Sequence, residues 1–414
     1  MEIESLEYVE ALWDHETLRR QSPDAGATLP AFPEMPAGRF TDPAFAQAEH
    51  EHLWRNVWIF AGHSSEIAKP GDYLTREIDG IPVILTHGKD GVLRAFYNVC
   101  PHRGARLLRE DCGHTATINC PYHCWSFGLN GELLFVPEVH DFPGLRQDTK
   151  HLRPIACAQF RGLVFFSLAE DPEPLENFIG GLAEALADVP IEQATLFHRA
   201  VVPARCNWKA VQDAFSETYH VRYVHAQSVN LALDQRYTAR YMLRGGHNAM
   251  IVKARQGEGN DMVNVFDRTG TVEGEPGSSG MRPVTRLGQR SYNLFPNLTI
   301  PIAENLFPIQ AAWPDGVDGC KLEVRFLKLA GGQGSVADDQ SVVEAFLAIL
   351  NEDLTTLAGM QESIRGSGIA GLVLGHGEQF IQNTHQQIDR VIGPEHIPKG
   401  LAMTQIDLPY ADAT

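Results

Sequence analysis

The sequence predicts an α+β protein built from two domains of different texture. An all-β domain occupies residues 46–165 and a mixed domain 166–414, with an arm at 1–45. From Gly71 onward, short strand-like runs alternate with glycine-bearing hairpin signals. After Glu170-Asp171-Pro172-Glu173-Pro174, helical stretches begin to flank longer strand-like runs. The length, 414 residues, allows two or three domains that each bury a core.

Residues 1–45 are rich in proline, alanine and acidic side chains, with weak helical patterning. Residues 45–60 read as a helix, with Trp54 and Trp58 four apart. Strands are expected at 73–78, 81–87 and 92–99, separated by Asp79-Gly80 and Gly88-Lys89-Asp90-Gly91. A further hairpin, 125–129 with 132–136, turns at Asn130-Gly131, so about 68–165 forms the β core of the first domain. In the second domain helices are expected near 175–188, 207–225 and 340–366, and strands at 289–300 and 321–329. The glycine-rich stretch 256–280 has little apolar content and reads as a surface excursion.

Composition narrows the function classes. Hydrophobic residues make up 43% and charged residues 21%, ordinary for a globular protein. No apolar run approaches the ~18 residues that suggest a membrane span. The opening Met1-Glu2-Ile3-Glu4-Ser5 is acidic where a signal peptide is basic, so a cytoplasmic location is expected. A net charge of −18 disfavours nucleic acid and anionic lipid as partners. Seven cysteines (Cys100, Cys112, Cys120, Cys124, Cys157, Cys206 and Cys320) are too few for a disulfide scaffold, yet four fall between 100 and 124. With 17 histidines in the chain, that cluster points to metal.

The cluster has a defined pattern. Cys100-Pro101-His102 is followed, after an intervening segment, by Cys120-Pro121-Tyr122-His123, both on turns leaving strands. One cysteine and one histidine per turn matches a Rieske [2Fe–2S] centre, in which two thiolates bind one iron and two imidazoles the other. The competing zinc reading expects cysteines in Cys-x2–4-Cys pairs. Cys112 and Cys124 fall outside the pattern and read, like Cys157, Cys206 and Cys320, as packing residues.

A second constellation lies at 207–225. Glu217, His220 and His225 sit among Trp208, Val211, Phe215, Val221 and Val224, where burial is costly unless they are paired or bind metal. Glu217 and His220, three apart, share a helix face. His220 and His225, five apart, reach one metal only if the helix ends or widens between them. Two histidines and a carboxylate make the facial triad of non-heme iron oxygenases. Asp353 offers that carboxylate, because it sits on the apolar stripe of Phe346, Leu350, Leu357, Met360 and Ile364, whereas Glu352 points about 100° away. The bland alternative is a buried, hydrogen-bonded aspartate.

With these residues in place, the chain resembles the catalytic α subunits of Rieske non-heme iron ring-hydroxylating oxygenases and their monooxygenase relatives over roughly residues 38–390. Also carrying the resemblance are Trp58-Ile59-Phe60-Ala61-Gly62-His63, Pro70-Gly71-Asp72-Tyr73, Asn207-Trp208-Lys209 and Leu294-Phe295-Pro296-Asn297-Leu298. It implies a Rieske domain ahead of a helix-grip (START-like) catalytic domain with an antiparallel sheet, to which the 1–45 arm contributes. It implies a cluster on Cys100, His102, Cys120 and His123, and a mononuclear Fe(II) on His220, His225 and Asp353. It further implies a trimer in which Glu217 bridges His123 of one chain and His220 of the next. Many aromatic-ring dioxygenases carry Asp at that position, and relatives resembling choline and carnitine monooxygenases carry Glu, so monooxygenation is expected.

The implied partners are O2, a small-molecule substrate, and a ferredoxin or NADH-dependent reductase as electron donor. Arg103, Arg106 and Arg109 form a candidate docking patch for that donor, or are ordinary solvated arginines. Tyr219, Tyr223, Tyr237, Tyr241, Tyr292, Phe295 and Trp313 could form an aromatic pocket or cation–π cage, or belong to the core. Two readings compete: an aromatic-ring cis-dihydroxylating dioxygenase, and a pure Rieske electron-transfer protein. The latter leaves the second constellation without a purpose.

Overall fold

The computed structural model describes residues 3–21, 31–78, 80–146, 149–255, 280–303, 306–329 and 336–412. The glycine-rich excursion expected at 256–280 lies, except for Gly280, outside the described residues, as does Asp79. The protein is α+β and divides into two compact units: Trp54–Leu175, and Met1–Leu53 together with Glu176–Thr414.

The Trp54–Leu175 unit is all β. Its strands are β1 (Trp58–His63), β2 (Asp72–Ile78), β3 (Ile81–His87), β4 (Leu93–Tyr97), β5 (Cys112–His114), β6 (Ile118–Asn119), β7 (Ser126–Phe127), β8 (Leu133–Phe135), β9 (Pro154–Phe160) and β10 (Leu163–Ser167). Seven form an antiparallel sheet in the order β1-β10-β9-β4-β3-β2-β5, and three form a second, β6-β7-β8. Every residue of β1 and β10 is buried, which is why both read as near-continuous apolar runs. The two sheets share a core of Ile84, Phe96, Ile118, Trp125, Phe127 and Leu152, and the Thr86 hydroxyl joins them by donating to Leu129 O at 2.7 Å. The β7–β8 hairpin turns at Gly131, whose φ of 84° suits glycine. A Cβ there would also run into the Phe96 ring.

The second unit is built on a seven-stranded antiparallel sheet. Its strands are β11 (Ala194–Ala204), β12 (Leu233–Met242), β13 (Asn248–Ala254), β14 (Gly288–Leu294), β15 (Leu298–Ile302), β16 (Leu306–Pro314) and β17 (Cys320–Leu329). They lie in the order β11-β17-β16-β15-β14-β13-β12. The arm supplies α1 (Leu6–Gln21), whose Val9 and Trp13 pack on Ala239, Ile251 and Val284. It also supplies α2 (Pro43–Ala48), started by Pro43 and capped by Asp42, which accepts from Ala44 N at 2.7 Å. The remaining elements around the metal site are α3 (Trp208–Ala214), α4 (Val221–Val224), α5 (Val336–Ser367) and α6 (Gln379–Ile392).

Three expectations need correction. Residues 45–60 are not one helix: α2 ends at Ala48, a π-helical turn covers Glu49–Leu53, and β1 starts at Trp58. Residues 289–300 are not one strand, because Phe295-Pro296-Asn297 turns the chain between β14 and β15, where proline has no N–H for a ladder. Cys112 and Cys124 are exposed rather than packed, whereas Cys206 and Cys320 are buried. Among the described residues no helix is long and apolar enough to cross a membrane.

Candidate metal centres

In the β unit, two turns of the same form present the cysteine–histidine pairs. In the first, Gly104 N donates to Cys100 O at 2.9 Å; in the second, Cys124 N donates to Cys120 O at 3.0 Å. Each turn closes on a left-handed residue, Gly104 at φ 75° and Cys124 at φ 56°. Cys124 therefore occupies the place that glycine holds in the first turn, a role its side chain did not announce.

Cys100 and Cys120 are both buried, and their thiols are in hydrogen-bonding contact. Burial pushes the Cys100 thiol up to about 11, opposed by the N–H groups of His102 and Arg103 that point at its sulfur. A thiolate is stable there only beside a cation. The His102 and His123 rings lie 4.7 Å apart, and His102 stacks flat on Trp125 at 4.8 Å. The Nδ1 atoms of both histidines are buried without a hydrogen-bond partner. Burial, His123 and Arg103 all hold His102 below its ordinary pKa, and therefore neutral. Two buried thiols beside two orphaned imidazole nitrogens fit the two-thiolate, two-imidazole donor set.

The second centre forms where the expected helix 207–225 breaks. Asn207 caps α3, accepting from Lys209 N at 3.1 Å, but α3 ends at Ala214. Glu217 and His220 thus sit in an irregular turn rather than on a shared helix face, and α4 begins just beyond them. The turn is held by Glu217 itself, whose carboxylate accepts from Tyr219 N and from His220 N. This break is what lets two histidines five apart converge.

His220, His225 and Asp353 present ligand atoms that all lie within 4.8 Å of one another. His225 Nε2 is 3.0 Å and His220 Nε2 3.5 Å from Asp353 Oδ1. Bonds of ~2.1 Å at right angles place neighbouring ligand atoms ~3.0 Å apart, so one metal ion fits between them. Behind each imidazole stands a carboxylate. His220 Nδ1 bonds Glu217, and His225 Nδ1 lies 2.6 Å from Glu352 Oε2, which also accepts from the Ser228 hydroxyl at 2.6 Å. Both Nε2 lone pairs are thereby free to face a metal. Burial disfavours a charged His225, yet Asp353 and then Glu352 outweigh it and raise the pKa. A metal cation would take that proton's place.

Glu352 was missed as a contributor. Its offset from the apolar stripe suggests solvent, but His225 leaves α4 and meets it from the side. On the stripe, Phe346, Leu350, Leu357 and Asp353 are buried, while Met360 is 47% exposed.

A half-open cavity of about 370 Å³ borders His220 and Asp353. Leu357, Met360, Leu374 and Ile381 give it apolar walls, Asp213, Glu217 and Glu378 line it with further acids, and among the described residues no lysine or arginine lines it. Burial and the charges of Glu217 and Asp213 raise the Glu378 pKa. Asp213 is anchored from behind: His385 Nε2 lies 3.2 Å from both its oxygens, and His385 Nδ1 accepts from Arg39 Nε at 2.9 Å. The aromatic cage does not form around this cavity. Only Tyr219 of the seven candidates lines it; Tyr223 is exposed, and Tyr241 and Tyr292 are core residues bonded to Glu4.

Fold and site together define a class: an iron–sulfur β domain joined to a catalytic domain with a His/His/Asp mononuclear iron site. Comparison with known families agrees. Residues 57–149 match the Rieske [2Fe-2S] domain, and residues 191–394 match the ring hydroxylating alpha subunit (catalytic domain). The chain belongs to the Rieske non-heme iron oxygenase α subunits.

It is 36% identical over 193 residues to the carnitine monooxygenase oxygenase subunit of Escherichia coli (strain K12), covering 46% of this chain and 52% of that protein. It is equally 36% identical, over 196 residues, to the toluate 1,2-dioxygenase subunit alpha of Pseudomonas putida, covering 45% and 43%. The match thus spans about half the length of these relatives. The crystal structure of a quaternary ammonium Rieske monooxygenase bound to an inhibitor superposes with a TM-score of 0.72 at 22% identity, covering 86% of this chain and 95% of that one. At that identity the likeness concerns the fold.

Proposed function

We propose that this chain is the terminal oxygenase of a multicomponent system that monooxygenates a small organic substrate, N- or O-dealkylation included. The observation that carries the proposal is the convergence of His220 Nε2, His225 Nε2 and Asp353 Oδ1 beside a cavity, on a chain that also carries the Rieske domain. Cys100, His102, Cys120 and His123 would hold the cluster, and His220, His225 and Asp353 the iron. When bound, these groups supply electron relay and O2 activation.

The remaining roles belong to side chains. Glu217 and Glu352 accept from the two Nδ1 atoms and fix the imidazole tautomers. Three ligands on one side leave coordination positions open toward the cavity. A cavity whose described lining carries acids and no lysine or arginine favours a cationic or neutral visitor over a carboxylate, which supports an amine or quaternary ammonium substrate. The relative named a carnitine monooxygenase shares the quaternary ammonium part of that chemistry.

Glu217 lies at the cavity, and Tyr219 and Val373 beside it are 63% and 78% exposed. This open edge supports docking of a second copy's cluster tip, with Glu217 between His220 and that copy's His123, and hence a trimer. Electrons would arrive from NADH through a ferredoxin or reductase. Of the arginine patch, Arg106 is paired with Glu77 and Arg103 stacks on Tyr122, which leaves Arg109 the freest to meet a donor.

The test is product analysis with isotopically labelled O2 and a trimethylammonium substrate in the reconstituted system. One label atom per product supports monooxygenation. Two atoms in an aromatic substrate would establish ring dihydroxylation, the reading that equal identity to toluate dioxygenase keeps in play.

A further inference from the structure

Away from both metal centres, α1 and the sheet hold an imbalance of charge. Arg19, Arg20 and Arg240 converge on one carboxylate, Glu16. Arg19 takes both oxygens, at 2.9 and 2.7 Å, and Arg20 Nε reaches one at 3.1 Å. Arg240 is left with a 3.6 Å contact from Nη1, although its side chain is only 5% exposed. Its Nη2 donates to Thr218 Oγ1 at 2.7 Å, and its buried Nε has no hydrogen-bond partner.

Three guanidinium groups share one contacting carboxylate, and Glu217 adds only a longer-range charge at Arg240, so the cluster stays positive in a protein whose net charge is −18. Burial pushes the Arg240 pKa down to about 10 despite Glu16. Besides its contact with Glu16, Arg240 Nη1 makes only a long 3.4 Å hydrogen bond to Thr238 O, which leaves it donor capacity for a further carboxylate. Arg240, Arg19 and their partner Glu16 line a cavity of about 330 Å³ with Tyr8, Leu12 and Ala411. That volume is at the small end of ligand sites, and the wall mixes apolar and aromatic groups with polar ones.

We propose that this cavity binds a small organic carboxylate, its carboxylate on Arg240 and its apolar body against Tyr8 and Leu12. Arg240 Nη2 also holds Thr218, the residue after Glu217. The site is separate from the acid-lined cavity at the triad, which repels the same ligand.

Calorimetric titration of the metal-loaded full-length protein tests it, with benzoate as probe, benzyl alcohol as its uncharged counterpart and inorganic phosphate as a bare anion. Benzoate is expected to bind once per chain, and the other two to bind at least ~10-fold more weakly. Arg240→Gln should weaken benzoate at least ~10-fold, and Ala411→Phe, which fills the cavity, should abolish binding without altering the circular dichroism spectrum. If Arg240→Gln does not fold, the Ala411→Phe variant and the three-probe comparison decide. Benzoate binding that survives both variants, its absence in the wild type, or phosphate binding as tight as benzoate overturns the proposal.

Discussion

Two carboxylates stand behind the iron-site imidazoles, and one stands between them, so three substitutions separate ligation from orientation. Asp353→Ala should lower iron from about three to about two atoms per chain and leave the cluster's visible spectrum intact. Glu352→Ala keeps the ligands but removes the acceptor for His225 Nδ1 and Ser228. It should weaken mononuclear iron binding by ~10–100-fold in a chelator competition, as outer-shell losses typically do. Glu217→Gln should retain both metals while single-turnover oxidation of a pre-reduced cluster slows at least ~10-fold. Wild-type single-turnover rates would show that Glu217 only holds the His220 turn. Asp353 could be read from the sequence because an acid on a buried stripe is anomalous. Glu352 could not, because its partner His225 arrives from a segment whose break no local pattern foretells.

Among the elements, the paired cluster turns make a sharp comparison. Cys124 spends ~1–2 kcal/mol on a left-handed backbone that Gly104 adopts freely. Cys124→Gly should therefore hold or raise the thermal midpoint with the cluster spectrum unchanged, whereas Cys124→Val should lower it. A cluster lost in Cys124→Gly would mean that the exposed thiol has a further role. The buried pair behind α3 predicts the opposite kind of change. Lys209 Nζ lies 2.8 and 3.0 Å from the two oxygens of Glu49 with both side chains almost fully enclosed, so Lys209→Met strands a carboxylate. A loss of ~3–5 kcal/mol in denaturant unfolding is expected. The strands around the cluster were readable because alternation and Asn-Gly or Asp-Gly turns are local signals. The segment 207–225 misled because its apolar spacing suits one helix, whereas α3 stops at Ala214 and Glu217 accepts from Tyr219 N and His220 N in the turn before α4.

For the molecule as a whole, His247 ties stability to pH. Its Nδ1 accepts from Phe295 N at 3.0 Å and its Nε2 donates to Phe178 O at 2.7 Å, so the buried ring is neutral. Burial holds its pKa down to about 4, against 6.5 in the open chain. As pH falls through that window the unfolded state takes up the proton first, and stability is lost, by roughly 2 kcal/mol between pH 7 and 5. Denaturant midpoints at the two pH values should differ by that share more in the wild type than in His247→Gln, which is less stable but lacks the titration. The division into an all-β and a mixed unit was legible from texture alone. The pairing of α1 with the sheet was not, since Trp13 finds Ile251 across 238 positions.

The two-stretch makeup of the catalytic unit has a consequence for biogenesis. Its contacts join residues 346 positions apart at Arg39–His385 and 286 apart at Glu4–Arg290, while the intervening unit, 54–175, is one unbroken stretch. Loop closure over such separations slows folding, and domains generally fold as units during synthesis. On the ribosome, residues 54–175 can complete their sheets and present Cys100, His102, Cys120 and His123 before His385 has been made. A cluster held by those four residues would then meet a folded receptor on the nascent chain, while an iron site on His220, His225 and Asp353 would still wait for Asp353 to be translated.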